Sequence, residues 1–348
     1  MPRLRMALLA LPFLACAACH GEVQMVPLID RKIYLTDKFY DVQAISADRA
    51  IVVGYGGKIL ETRDSGRTWN LRPSGTDNAL YKIHLVDGQT GWVVGQAGTI
   101  LRTTNGGETW TKQTSGTDNY LFSVYALSPD RAIVVGDKAG ILQTTDGGNT
   151  WKLTKYQQAK GTMTEDEELA AQDPSLYDVV FVDDKTGWIV GEFGKILKTT
   201  DGGATWSEQQ GSLMGGEITN PLDLPTFYGA RFISAQEGIA SGIDAHVAHT
   251  RDGGAKWAFD EVSPDVTMPL FQPLLFPDGS GWAVGASGTV VHRDGPDAPW
   301  KPADLGLRVL SWVRQVSFVD KDNGWLVGGF GTILHTRDGG KTWLPAAA

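Results

Sequence analysis

Seven carboxylate or carboxamide side chains recur along this 348-residue chain: Asp64, Asn105, Asp146, Asp201, Asp252, Asp294 and Asp338. Recurring acids raise the question of hydrolysis, because cleaving a glycosidic bond takes two carboxyls roughly 5–9.5 Å apart in a cleft. Their context argues for a different use. Each stands in a box such as "TTDGGATW", Thr199 to Trp206. Asp201 there is placed to accept hydrogen bonds from the backbone of its own turn. Gly202 and Gly203 take positive φ at little cost. Trp206 restarts a strand, with its indole over the hairpin and the neighbouring sheet. Asn105 keeps the acceptor oxygen without the charge, so the position tolerates the loss of its acid. A structural role for the box follows. Its tryptophans, Trp69, Trp110, Trp151, Trp206, Trp257, Trp300 and Trp343, should be buried, and truncating one should cost about 3–5 kcal/mol.

Other groups capable of chemistry are sparse. Asp41 and Asp178 open strands of non-adjacent units and suggest no acid–base pair. His246 and His249 are the only close histidines, and three residues apart on a strand they face opposite ways. With no cysteine nearby, no metal site is expected. The glycine turns join strands and open no helix, so they offer no phosphate cradle, and no cofactor is expected. A net charge of −9 without long single-sign runs argues against nucleic acid as a partner.

The elements that must position these residues come from repetition. The boxes lie 41, 41, 55, 51, 42 and 44 residues apart, and seven units fill the chain from about residue 28 to its end. Within "YDVVFVDDKTGWIVGEFGKILKTTDGGATWSEQ", from Tyr177, short β-branched and aromatic runs alternate with breakers. Four short antiparallel strands per unit, seven times over, predict an all-β, seven-bladed β-propeller. Residues 28–33, "LIDRKI", stand where a fourth strand would pair into the last blade beside "TWLP" and close the ring.

The first residues read as a targeting segment: basic "MPRLR", apolar "MALLALPFLA", then "CAAC". The apolar run is too short to span a bilayer as a helix. Residues 1–19 are expected to be a signal peptide and 20–348 a single propeller domain. Cys19 or Cys16 would be the lipidated residue of a bacterial lipoprotein signal, with plain cleavage after Ala17 as the rival. Both cysteines lie here, so the mature domain is expected to hold no disulfide although export would permit one. The expected location is the periplasm, with a lipid anchor in a bacterial membrane.

The boxes, of the form S/T-x-D-x-G-x-T-W, resemble the Asp-box (BNR) repeats shared by sialidases, sortilins and several glycanases. The fuller unit is more specific. "GWVVGQAGTILRTTNGGETW" (Gly91–Trp110), "GWIVGEFGKILKTTDGGATW" (Gly187–Trp206) and "GWLVGGFGTILHTRDGGKTW" (Gly324–Trp343) resemble the Ycf48/HCF136 family of photosystem II stability and assembly factors over nearly the whole mature chain. The resemblance implies a seven-bladed propeller and a non-enzymatic helper in building membrane protein complexes. The arginine-rich patch of photosystem-assembly members has no matching cluster here. The arginine cluster of a sialidase is missing too: Arg63, Arg251, Arg293 and Arg337 stand beside box acids, at the rim.

In such a wheel the turns between second and third strands share one face, the link face, with the links between blades; the boxes lie on the opposite face. The insertions Lys155–Ser175 and Gly211–Phe227 belong to two of those links, and "EDEELAA" could form one or two helical turns. Tyr40, Tyr81, Phe122, Tyr177, Tyr228 and Phe271, with Arg314 in the seventh register, should ring the axial channel there. Inter-blade packing explains such a ring, and recognition of an apolar or sugar-like group is the sharper alternative. Tyr55, Glu192, Phe193, Asp244 and Phe330 stand on the link-face turns and, with Arg314, are the candidate partner-binding residues. The expected function is a monomeric, non-enzymatic assembly or stability factor with an integral membrane protein as partner. The alternatives are an envelope binding protein for a glycan or apolar ligand and a sialidase-like glycoside hydrolase.

Overall fold

A computed structural model describes residues 31–156, 173–213 and 220–346. Residues 1–31 and 32–348 separate as two units, and every strand belongs to the second. The signal-peptide and lipidation expectations, and the helical turn expected in "EDEELAA", lie outside the described residues.

Seven four-stranded antiparallel sheets are present, each built from four consecutive strands. The innermost strands are Phe39–Ala44, Leu80–Leu85, Leu121–Ala126, Leu176–Phe181, Phe227–Phe232, Leu270–Leu275 and Val313–Phe318, opening blades 1 to 7. The second strands, such as Gly187–Gly191 ("GWIVG"), are buried along their whole length, which explains their unbroken apolar runs. The fourth strands, such as Lys152–Lys155, are exposed.

The core consists of clusters between neighbouring blades. One joins Trp188, Val190 and Ile196 of blade 4 to Phe227, Ala240 and Trp257 of blade 5. Leu213 and Leu224, from the Gly211–Phe227 insertion, are buried in the same cluster. Ser212 Oγ accepts the backbone N–H of Trp257 at 2.8 Å. That insertion is therefore partly core.

Ring closure differs from the expectation. Residues 31–33 form no strand, and the last sheet takes all four strands from the C-terminal unit. Blades 7 and 1 meet through side chains and through the Gly331 N–H, which donates to the Asp37 carbonyl at 2.9 Å. Trp69 packs edge-on against Trp325 at 5.8 Å, in a cluster with Ile33, Phe39 and Val327. Gln315 Nε2 donates to Asp41 Oδ1 at 2.5 Å, and the Ala44 N–H donates to Ser317 Oγ at 3.2 Å.

Every innermost strand carries a β-bulge at the same place. In blade 1, Phe39 pairs with Gly54 and Asp41 with Val53, so Tyr40 is the extra residue. The same shift skips Tyr81, Phe122, Tyr177, Tyr228, Phe271 and Arg314. A bulge re-aims a side chain away from the alternation of a regular strand. Seven of them prepare the axial site.

Candidate functional site

The bulged residues meet around the axis. Ring centroids are 5.2 Å apart for Tyr40–Tyr81, 6.1 Å for Tyr81–Phe122, 5.3 Å for Phe122–Tyr177, 5.3 Å for Tyr177–Tyr228 and 5.7 Å for Tyr228–Phe271. The Arg314 guanidinium lies 5.0 Å from the centre of Phe271, a cation–π distance. Trp312 stacks on Tyr40 at 5.6 Å beside it. All seven ring members are half-buried. Burial pushes the Tyr81 hydroxyl up to about 12. Burial, followed by the neighbouring Glu192 charge, does the same to Tyr177. Both hydroxyls are therefore neutral hydrogen-bonding groups at physiological pH.

Beneath the ring, the residue after each bulge also serves the axis. Asp41 Oδ2 accepts the Ile83 N–H of the next blade at 2.7 Å. Asp178 accepts from Ser123 Oγ at 2.7 Å and from the Ala230 N–H at 3.1 Å. Lys82 Nζ lies 4.0 Å from a carboxylate oxygen of each. Sequence reasoning kept these two acids apart as members of non-adjacent blades; the structure brings them to either side of one lysine. The clue was available, because both directly follow a ring aromatic. Blade 5 has Gly229 at this position, where an added Cβ would fall 2.5 Å from the Phe271 carbonyl oxygen. A cavity of about 230 Å³ lies on the axis, lined among others by Asp41, Lys82, His84, Gln272 and Gln315. Burial raises the Asp41 pKa, and burial ahead of the nearby cations holds His84 neutral, at about 3. Both carboxylates are buried and hydrogen-bonded across blades, which suits stitching the blades together.

On the link face each turn between second and third strands has two consecutive residues at positive φ, the geometry of a tight hairpin turn. Phe193 and Phe330 occupy the first of these at φ 52° and 55°, and Asp244 at 52°. Glycine is the low-cost residue there; a bulky side chain held in that region costs on the order of 1–3 kcal/mol. Phe330 and Tyr55 are 59% and 60% exposed, whereas Phe193 is half-buried. Glu192 is engaged internally, accepting the Ser175 N–H at 2.7 Å and the Tyr177 hydroxyl at 3.1 Å.

Large exposed apolar side chains are distributed unevenly. Tyr34, Leu35, Tyr55, Tyr120, Met268, Leu310 and Phe330 lie in link-face turns and links; Leu71, Leu153, Phe259 and Leu344 lie on outermost strands. Among the described residues, the box face carries none. Sequence reasoning missed Leu35 and Leu310, 81% and 70% exposed, because a single leucine in a link has no pattern.

The box residues are absorbed in their own turns. Asp201 accepts from Thr199 Oγ1 at 2.7 Å, the Thr205 N–H at 2.9 Å and Thr205 Oγ1 at 2.5 Å. Asn105 accepts the Thr109 N–H at 3.1 Å and donates to Thr109 Oγ1 at 2.9 Å. Asp64, Asp146, Asp252 and Asp338 make the corresponding bonds to the N–H four residues on. These bonds hold Asp146, Asp201 and Asp338 at about 2. Trp69, Trp257, Trp300 and Trp343 are buried, and Trp110, Trp151 and Trp206 half-buried.

The sixth box departs from the expectation. Strand pairing puts Arg293, opposite Gly281, where other boxes have threonine, such as Thr103 opposite Gly91. Gly295 then takes the acid position, and Asp294 is exposed, with His292 Nδ1 3.5 Å from its carboxylate. The extra residue in "HRDGPDAPW" had misaligned it. Arg293 is buried, not at the rim: it donates to Asp260 at 2.8 Å and to the Gly279 carbonyl at 2.9 Å, and lies against Trp300. Arg63, Arg251 and Arg337 pair with Glu61, Asp297 and Asp48. His249 bonds Asp260, and His246 the Ile243 carbonyl.

The profile of the family described as "Photosynthesis system II assembly factor YCF48" matches residues 23–167, 158–222 and 294–347. A photosystem II assembly lipoprotein Ycf48 of Synechococcus sp. (strain CC9902) is 36% identical over 84 residues, 23% of this chain and 22% of the relative. The protein of that name from Prochlorococcus marinus is 53% identical over 45 residues, 13% of each. The matched stretches thus span about a fifth or less of the curated relatives' length. A solved structure of YCF48 from Cyanidioschyzon merolae superimposes with a TM-score of 0.69 at 20% identity, covering 87% of this chain and 96% of that one. One described as "YCF48 bound to D1 peptide" gives 0.64 at 18%, covering 87% and 95%. An ancestral GH74 enzyme gives 0.65 at 13% identity, covering 87% of this chain and 45% of the enzyme. At these identities the structural likeness establishes the fold alone.

Proposed function

Because the chain belongs to the Ycf48 family of photosystem II assembly factors, we propose that it is a non-enzymatic assembly factor whose link face holds a segment of a membrane protein while its complex is built. The observation that carries this reading is the confinement of exposed apolar side chains to the link face and outer strands, with Phe330 retained at a left-handed position against a backbone cost. Exposed aromatics beside polar turns are typical of an interface. The relative solved with a D1 peptide supports a polypeptide occupant. The box acids and the axial carboxylates are consumed by turns and inter-blade bonds, which supports a binding role over hydrolysis.

Export and a lipid anchor complete the proposal. The leader of residues 1–19, with Cys19 or Cys16 as the modified residue, would hold the wheel close to the membrane in which its partner sits, and the curated relatives are named lipoproteins. A monomer suffices for this task. No helix among the described residues is long and apolar enough to cross a membrane.

The test is affinity capture from detergent-solubilised membranes with wild type and with Tyr55→Ala/Phe330→Ala. The proposal expects an integral membrane protein retained by wild type and depleted at least tenfold with the double variant. Retention of the same partner by both would reject the link face as the interface. Sugar release from a glycan panel would reject the non-enzymatic reading.

A further inference from the structure

The exposed apolar side chains of the link face are concentrated in one sector. The four most exposed large apolar side chains among the described residues, Leu35, Leu310, Tyr55 and Phe330, all stand where blades 7 and 1 meet, with Tyr34 beside them. Backbone bonds fix them together. The Gly331 N–H, next to Phe330, donates to the Asp37 carbonyl at 2.9 Å, and the Tyr55 N–H donates to the Lys38 carbonyl at 2.9 Å. The Gly329 N–H donates to the Trp312 carbonyl at 3.0 Å and so brings in the link that carries Leu310. Asp37 accepts the Tyr34 N–H at 2.8 Å and pairs with Lys58. Single exposed apolar residues are ordinary on a protein surface, whereas a cluster of them marks a partner or a membrane.

The residue types select between the two. The Lys38 and Lys58 ammonium groups lie 5.4 and 5.0 Å from the ring centres of Tyr55 and Tyr34. Tyrosines and lysines, each an apolar body with a polar tip, suit the boundary between water and hydrocarbon; Leu35 and Leu310 suit the hydrocarbon itself. The charged side chains of the sector and the links beside it are Arg31, Lys32, Lys38, Lys58 and Arg308 against Asp37, Asp77 and Asp304. Five against three leaves a surplus of two positive charges, in a protein whose total is −9. Anionic lipid headgroups attract such a rim.

The path of the chain names the occupant. Residues 31–38 are where the chain enters the wheel. With the lipid anchor proposed above, Cys19 or Cys16 precedes Tyr34 by 15 or 18 residues. A stretch of that length spans at most about 50–65 Å when fully extended. Along the chain, this sector is therefore the part of the wheel that the anchor holds closest to a bilayer.

We propose that the sector docks on the membrane surface, with Leu35 and Leu310 in the outer acyl region, Tyr34 at headgroup depth, and Arg31, Lys32, Lys38 and Arg308 against anionic headgroups. The docking places Tyr55 and Phe330, the polypeptide contacts of the assembly-factor reading, at the surface from which the proposed partner emerges. It deepens that reading and rests on its lipid anchor for the choice of occupant.

The full chain, isolated from membranes, is reconstituted into vesicles of phosphatidylethanolamine and phosphatidylglycerol that hold no other protein. A photoreactive amino acid replaces Leu35 or Leu310, or, as controls, Leu153 or Phe259 on the outermost strands of blades 3 and 5. After irradiation, phospholipid adducts are quantified by mass spectrometry. Leu35 and Leu310 should give at least fivefold more lipid adduct than Leu153 and Phe259. That excess should fall at least threefold in vesicles of phosphatidylcholine alone. Equal yields from all four positions overturn the proposal. Adducts from Leu35 and Leu310 to a second copy of the chain in place of lipid, or yields that ignore lipid charge, overturn it too. Intact mass reports separately whether Cys16 or Cys19 carries a lipid, and the vesicles contain no partner, so failures of the anchor, of the partner and of the patch are told apart.

Discussion

At the scale of single residues, the box acids are acceptors whose ionised form the folded turn favours. Asp146, Asp201 and Asp338 titrate near 2 because Thr150, Thr205 and Thr342 donate to them through both N–H and hydroxyl. A carboxylate with a lowered folded pKa stabilises the protein fully above its unfolded value, about 3.9. That contribution is lost as pH falls from there through 2. Acid denaturation of wild type should therefore steepen between pH 4 and 2. The triple variant Asp146→Asn, Asp201→Asn, Asp338→Asn should flatten that limb, since Asn105 already shows the turn without a charge. Circular dichroism against pH checks it, and parallel curves would contradict it. The chemistry of these residues was legible from "TTDGGATW" because it is local. Asp294 was misassigned because one added residue shifts a box in a way only strand pairing reveals.

At the scale of elements, the tryptophans separate into two kinds. Trp343 packs edge-on against Trp282 at 5.9 Å, and its Nε1 has no acceptor among the described residues. Trp300 is fully buried, and its Nε1 donates to Asp260 at 2.9 Å, in a network with Arg293 and His249. Trp300→Ala should cost about 3–5 kcal/mol. Trp343→Phe should cost less than Trp300→Phe, because only the latter removes a hydrogen bond from a buried carboxylate. Urea denaturation orders the two, and the reverse order would contradict the account. Strand runs and turn breakers were readable from period and composition. The seven bulges were not, since a bulge leaves no mark in the alternation of "YDVVFVD"; only the repeated Tyr or Phe hinted that these side chains share one destination.

At the scale of the whole molecule, every sheet is contiguous in sequence, and the wheel closes between blades 7 and 1 without a shared strand. A circular permutant opened in the link at residues 72–79, with the original ends joined by a flexible linker, keeps every sheet intact. Its thermal midpoint should stay within about 5 °C of wild type, a change of about 3 kcal/mol or less for a domain of this size. Collapse of that permutant would mean that the start of the chain supplies a strand after all. The number of blades was evident from the seven boxes. The asymmetry between the faces was not, because the exposure of Leu35, Leu310, Tyr55 and Phe330 depends on how links fold over one another. The link face is where the proposed partner sits, and photocrosslinking tests that most directly. A crosslinking amino acid is placed at Phe330 or Tyr55 on the link face and at Lys185 or Lys321 on the box face, and the membranes are irradiated before solubilisation. Adducts to one integral membrane protein from Phe330 and Tyr55 alone are the predicted result. Adducts from the box-face positions, with none from the link face, would contradict the account.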